Sequence, residues 1–176
     1  LKGAIQENTK LVFCESIGNP GLEVSDLPRI AKIAHQNHLP LVVDATFATP
    51  VLCKPFEHGV DVVVHSVTKW IGGHGVAVGG VIVDGGSFDW GSSNKHATLT
   101  TPYEPFHGIN FWEEFGPSAL SMKIRAESMR DFGPAMSPHS AFLFLQGIET
   151  LTLRMNQHVK NAIKLAKWLL EQSAVM

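Results

Sequence analysis

The chain has 176 residues, 44% hydrophobic and 17% charged, proportions that suit a folded domain with a sizeable core. A formal net charge of −2 without a basic stripe argues against nucleic acid as a partner. Its apolar runs are strand-sized and too short for a membrane span, and its start, Leu1-Lys2-Gly3-Ala4-Ile5, lacks the basic-then-apolar order of a signal peptide. Two cysteines, Cys14 and Cys53, make neither a metal spacing nor a disulfide framework, which points to a reducing cytoplasm.

Thr9 to Cys14 reads as a short strand, closed by the turn-rich Gly18-Asn19-Pro20-Gly21. Asp26 offers an N-cap, and Leu27, Ile30, Ala31, Ile33 and Ala34 share one face, so residues 26–37 are expected to be helical. The apolar run Leu39 to Asp44 is a second strand, completing a strand-helix-strand unit. After a loop and a short helical stretch at Pro55 to His58, Val60 to His65 forms a third strand, rich in valine. Gly75 to Val83 is read as a fourth, broken by glycines. Ser87 to Phe115 mixes aromatics, glycines, prolines and histidines without a period and is expected to be an ordered insertion. Pro117 to Asp131 and Ser137 to Leu145 follow as helices, and from Leu151 onward Met155, Val159, Ile163, Ala166 and Leu170 trace a long amphipathic one. The order of elements defines an α/β fold with a mostly parallel sheet and flanking helices.

Chemistry concentrates at two strand ends. Asp44 ends the second strand, and Lys69 follows directly on the third. In open parallel sheets, ligands sit at the carboxyl ends of the strands, which places both on one side of the fold. A lone lysine there has an ordinary explanation, snorkelling to solvent. It also has a chemical one, an amine desolvated to act as a nucleophile. An aspartate and a lysine from neighbouring strand ends are the parts that pyridoxal phosphate requires: the lysine forms an imine and the carboxylate pairs with the ring nitrogen. Ser66 to Lys69 also spells S-x-x-K, the motif of serine acyltransferases, but that motif belongs at a helix start with a later Lys-Thr-Gly, which this chain lacks. His65, His74 and His107 show no zinc spacing, and Gly72-Gly73-His74-Gly75 is not a dinucleotide fingerprint.

Four stretches together carry a resemblance. Glu15-Ser-Ile-Gly-Asn19-Pro20, Val43-Asp44-Ala-Thr-Phe-Ala-Thr-Pro50, His65-Ser66-Val-Thr68-Lys69-Trp-Ile-Gly-Gly-His-Gly75 and Leu145-Gln-Gly-Ile-Glu-Thr-Leu-Thr-Leu-Arg-Met155 resemble the pyridoxal-phosphate enzymes of cysteine and methionine metabolism, of fold type I. The insertion, ending Glu114-Phe115-Gly116-Pro117, looks like the O-acetylhomoserine sulfhydrylase branch rather than cystathionine γ-synthases or methionine γ-lyases. By resemblance, Lys69 forms the imine and shuttles protons, and Asp44 keeps the ring nitrogen protonated. Ser66 and Thr68 bond the cofactor phosphate, their spacing of two putting both on one side of an extended segment. Asn19 lies near the phenolic oxygen and the substrate carboxylate, and Thr46 lies against the ring. Arg154 reads as a helix-surface arginine. The implied reaction replaces the acetate of O-acetylhomoserine by sulfide or a thiol, giving homocysteine or methionine.

The chain opens on leucine and closes inside a helical pattern, as expected of an internal piece of a longer polypeptide. On that reading residues 1–151 belong to a cofactor-binding domain, with the insertion at 87–115, and residues 152–176 lead into a C-terminal domain. The resemblance implies further cofactor and substrate groups on flanking sequence and active sites shared between subunits of a homo-oligomer. The piece alone is therefore expected to be inactive. A different class of protein, a non-catalytic remnant, would have no need of an intact Asp44 and Lys69.

Overall fold

The computed structural model describes residues 1–175. Four strands form one sheet in the order β1 (Val12–Glu15), β2 (Leu41–Asp44), β3 (Val62–Ser66) and β4 (Gly80–Asp84). The first three run parallel and β4 pairs antiparallel with β3, so the expectation of a mostly parallel α/β sheet holds.

The crossover from β1 to β2 is helix α1 (Leu27–His35), and a short helix, α2 (Thr49–Leu52), follows β2. Asp26 caps it, its carboxylate accepting from the Arg29 amide at 3.2 Å, and Pro28 occupies the first turn, where no intrahelical donor is needed. Leu27, Ala31 and Ala34 pack on Val12, Leu41, Val43 and Val63, the alternate residues on one face of the sheet. Asp61 is buried beneath this layer. Its Oδ2 accepts from the Leu41 amide at 2.7 Å and lies 2.8 Å from His35 Nε2, which compensates for the burial of a carboxylate.

The opposite face of the sheet is covered only in part: Val62 is buried there, whereas Phe13 and Ile82, which project there with Val42 and Val64, are 57% and 53% exposed.

The expected fourth strand begins late. Residues 75–79 lie outside the ladder; at Gly79 the backbone is bonded to Thr68, whose hydroxyl accepts from the Gly79 N–H at 3.0 Å and donates to its carbonyl at 3.2 Å. The first strand likewise starts at Val12 and extends through Glu15.

The insertion is ordered, as its composition suggests. Short helices α3 (Ala97–Thr100) and α4 (Phe111–Phe115) enclose a second core of Trp90, Leu99, Phe111 and Ala119. The helix after it is not uniform: α5 (Ala119–Lys123) passes through a π-helical segment, Ile124–Met129, into α6 (Arg130–Phe132). Lys123 pins the insertion to this helix. Its ammonium lies 3.0 Å from the Tyr103 ring centroid and 3.1 Å from Glu127 Oε2, while the Tyr103 hydroxyl donates to Glu127 Oε1 at 2.8 Å. Helices α7 (Pro138–Glu149) and α8 (Leu151–Leu170) complete the chain, α7 running four residues past its expected end.

Candidate active site

Register brings the functional residues together. Glu15 and Asp44 are Cα partners at the ends of β1 and β2, and Ser66 ends β3 two residues beyond Val64, the partner of Asp44. Because side chains alternate, Glu15, Asp44 and Ser66 project from the same face. They line a cavity of about 600 Å³ together with Asn19, Thr46, Phe47, Lys69, Trp70 and Gly73. Five of the six residues singled out in the sequence therefore share one wall: Lys69, Asp44, Ser66, Asn19 and Thr46.

Local bonding holds these side chains in place. The Thr46 amide donates to Asp44 Oδ1 at 2.8 Å, an Asx turn that orients the half-buried carboxylate. The Thr46 hydroxyl accepts from the Ser66 amide at 2.7 Å and so ties the tip of β3 to the loop after β2. Among the described residues, Asp44 Oδ2, the Ser66 hydroxyl, the Asn19 side-chain amide and the Lys69 ammonium have no hydrogen-bond partner. A carboxylate oxygen, a hydroxyl, an amide and an amine thus meet at one cavity with their bonding capacity unspent. That donor set fits pyridoxal phosphate: an amine for its aldehyde, a carboxylate for its ring nitrogen, a hydroxyl for its phosphate.

Two expectations need correction. The chain does not stay extended after Ser66. It coils into a helical turn in which Gly72 N–H donates to the Val67 carbonyl at 2.8 Å and Gly73 N–H to the Lys69 carbonyl at 2.7 Å. The turn brings the Thr68 hydroxyl onto the Gly79 backbone, while the Ser66 hydroxyl faces the cavity. Nor is Lys69 desolvated by the residues described, since its side chain is exposed.

Other participants were missed in the sequence. Glu15 lines the cavity and its Oε2 accepts from the Asn19 backbone N–H at 2.8 Å, fixing the loop that presents Asn19. Its place at a strand end, level with Asp44, was the available signal. Arg154 is no surface arginine. It donates to the carbonyls of Trp70 at 2.7 Å, Ile71 at 3.3 Å and Gly147 at 2.7 Å, and no short-range pattern could have revealed contacts more than 80 residues apart. His65 projects to the α1 side of β3, behind the site. Burial pushes its imidazole below the ordinary range, against the opposing pull of the Asp44 charge, and its Nδ1 has no partner.

A parallel α/β sheet with an amine and a carboxylate at its strand ends defines a class of cofactor-dependent enzyme, and comparison with known proteins agrees. The family model for the Cys/Met metabolism PLP-dependent enzymes matches residues 1–176, and the chain belongs to that family. It is 50% identical over 171 residues to the homocysteine synthase of Schizosaccharomyces pombe, and 44% identical over 174 residues to the O-acetyl-L-homoserine sulfhydrylase of Leptospira meyeri. Those matches cover 96% and 94% of this chain, which spans 40% and 39% of the relatives' own lengths. Among solved structures, a putative O-acetylhomoserine (thiol)-lyase from Campylobacter jejuni superposes with a TM-score of 0.93 at 35% identity, over 98% of this chain and 42% of that one. That structure carries a pyridoxyl-lysine monophosphate.

Proposed function

We propose that this chain carries the cofactor lysine and ring-pairing carboxylate of an O-acetylhomoserine sulfhydrylase. The reaction replaces the acetate of O-acetylhomoserine by sulfide or a thiol, yielding homocysteine or methionine. The observation that carries the reading is the convergence of Lys69, Asp44 and Ser66, with free polar atoms, on one cavity at the ends of β2 and β3. The names of the relatives support the sulfhydrylase over the cystathionine γ-synthase or methionine γ-lyase type, as does the folded insertion.

Bound in the cavity, pyridoxal phosphate would supply an aldehyde and an electron-withdrawing ring that stabilises negative charge on an amino-acid carbon. The residues of this chain do the rest. Lys69 supplies the amine that attaches the cofactor and, once displaced by substrate, carries protons at the amino-acid carbons. Asp44, held by the Thr46 amide, presents Oδ2 to a protonated ring nitrogen; a unit-charge pair at 4 Å is worth about 4 kcal/mol at an effective dielectric of 20. The Ser66 hydroxyl donates to phosphate, and the Asn19 amide bonds the phenolic oxygen or the substrate carboxylate. Thr46 orients Asp44 and Ser66. Thr68, whose hydroxyl bonds the Gly79 backbone, shapes the turn and stands beside Ser66 as the second hydroxyl assigned to the phosphate.

Exposed apolar side chains such as Phe132, Leu145, Leu153 and Leu170 support a chain covered by further protein, as in a homo-oligomer, and no described helix is long and apolar enough to cross a membrane. We place the protein in the cytoplasm on its cysteine usage and its biosynthetic relatives.

The test is direct. The protein that carries this chain is mixed with pyridoxal phosphate and reduced with borohydride, and the label is located by peptide mass. A label on Lys69, lost in Lys69→Ala, together with homocysteine formation from O-acetylhomoserine and sulfide, is the expected result. A label on another lysine, or sulfide consumption that survives Lys69→Ala, refutes it.

A further inference from the structure

The turn that carries Lys69 ends abruptly. Its hydrogen bonds run from Lys69 N–H to the Ser66 carbonyl, from Gly72 to Val67 and from Gly73 to Lys69. The next two carbonyls, those of Trp70 and Ile71, leave the end of the turn without a partner inside it. The arginine of α8 meets both. Arg154 Nη1 donates to Trp70 O at 2.7 Å and Nη2 to Ile71 O at 3.3 Å. The remaining donors lock the guanidinium to its own support, Nη2 on Gly147 O at 2.7 Å and Nε on Thr150 Oγ1 at 3.1 Å.

The surroundings are built for this contact. Gly73 has φ +72°, and a Cβ there would lie 2.6 Å from Arg154 Nη1, so the backbone approaches the guanidinium as only glycine permits. Gly147 brings α7 so near the turn that a Cβ would lie 2.5 Å from Gly72 O. Trp70 is held from α8 by His158, with ring centroids 4.7 Å apart. Val67 and Ile71 pack with Phe144, Leu151 and Met155 beneath.

We infer that Arg154 is a positioning residue for Lys69: its planar fork caps the lysine-bearing turn and fixes where the amine stands relative to Asp44. A lysine in its place could reach one carbonyl but could not span two and brace itself on Gly147. The inference rests on the reading of Lys69 as the amine that captures the cofactor.

The experiment measures the rate at which folded protein captures pyridoxal phosphate at Lys69, read by borohydride trapping and peptide mass, and the pH midpoint of the bound chromophore's absorbance. Capture by the wild-type protein is the control: its failure would refute the reading of Lys69, whatever Arg154 does. Given that control, Arg154→Met is expected to slow capture per folded molecule by about 10²-fold, the scale of a displacement near 1 Å. The pH midpoint should move as well. Arg154→Lys should recover part of the rate and remain at least about tenfold slow. A general loss of stability would lower the folded fraction but leave capture by folded molecules and the pH midpoint unchanged, and that result overturns the inference. Should Arg154→Met not fold, Arg154→Lys decides alone: capture at the wild-type rate overturns the inference, and slow capture with a moved midpoint sustains it.

Discussion

Replacing Gly147 by alanine opposes two effects of known sign. Gly147 lies inside α7, where alanine gains about 1 kcal/mol over glycine in intrinsic helix propensity. Against this, the new Cβ would lie 2.5 Å from the Gly72 carbonyl oxygen and closer still to that of Ile71. Both obstacles are backbone, and the Ile71 carbonyl is also bonded to Arg154, so neither can swing aside as a side-chain tip would. Reaching ordinary contact, which begins near 3.4 Å, requires α7 or the lysine-bearing turn to retreat by about 1 Å. Overpacking of this kind costs about 1–3 kcal/mol, and here it also strains the Arg154 fork. Steric cost should win. Gly147→Ala is expected to be less stable by up to about 2 kcal/mol in urea titration and to capture pyridoxal phosphate more slowly, while Gly3→Ala, with open space around its Cβ, should stay within about 0.5 kcal/mol of wild type. A Gly147→Ala protein as stable as wild type, or more so, would show that α7 does not press on the turn.

Asp61→Ala removes the acceptor of the buried Leu41 amide and the partner of His35, and should cost about 1–3 kcal/mol in the same titration; an unchanged midpoint would mean that water replaces the carboxylate. Phe111→Ala empties the centre of the second core, where Phe111 is fully buried, at a cost of about 3–5 kcal/mol, and hydrogen exchange should accelerate across residues 87–115 before it does in β1–β3. Burial holds His65 and His96 below their ordinary range, so the folded chain binds fewer protons than the unfolded one as pH falls from about 6.5 toward the depressed folded values. The stability from these groups is present above that window and lost on acidification through it. Melting temperature should therefore drop between about pH 7 and pH 5, and less steeply in His96→Phe; a flat profile would refute the assignment.

How much of this was legible beforehand depends on how far apart the determining residues lie. Asp26 capping a helix with one apolar face and two valine-rich runs are short-range signals, and they placed α1, β2 and β3 within a few residues. Residues 75–79 have the composition of a strand, yet they lie outside the ladder, and at Gly79 the backbone is bonded by a hydroxyl 11 residues earlier. A spacing of two puts side chains together only while the backbone is extended, and extension stops at Ser66.

The site shows the same division with more at stake. Asp44 and Lys69 were readable because each stands at the end of an apolar run, where an ionisable group is conspicuous. What holds them was not readable. Asp44 is oriented by Thr46, Ser66 is tied to Thr46, Asn19 to Glu15, and the Lys69 turn to Arg154. Three of these four supports use a backbone N–H or carbonyl as one partner in a loop just past a strand, where periodicity is silent. A hydrophobic pattern can thus show which side chains arrive at the strand tips, but not the polar bonds that fix their angle. For chemistry in which a displacement near 1 Å costs about 10²-fold in rate, those bonds are as much part of the site as the amine itself.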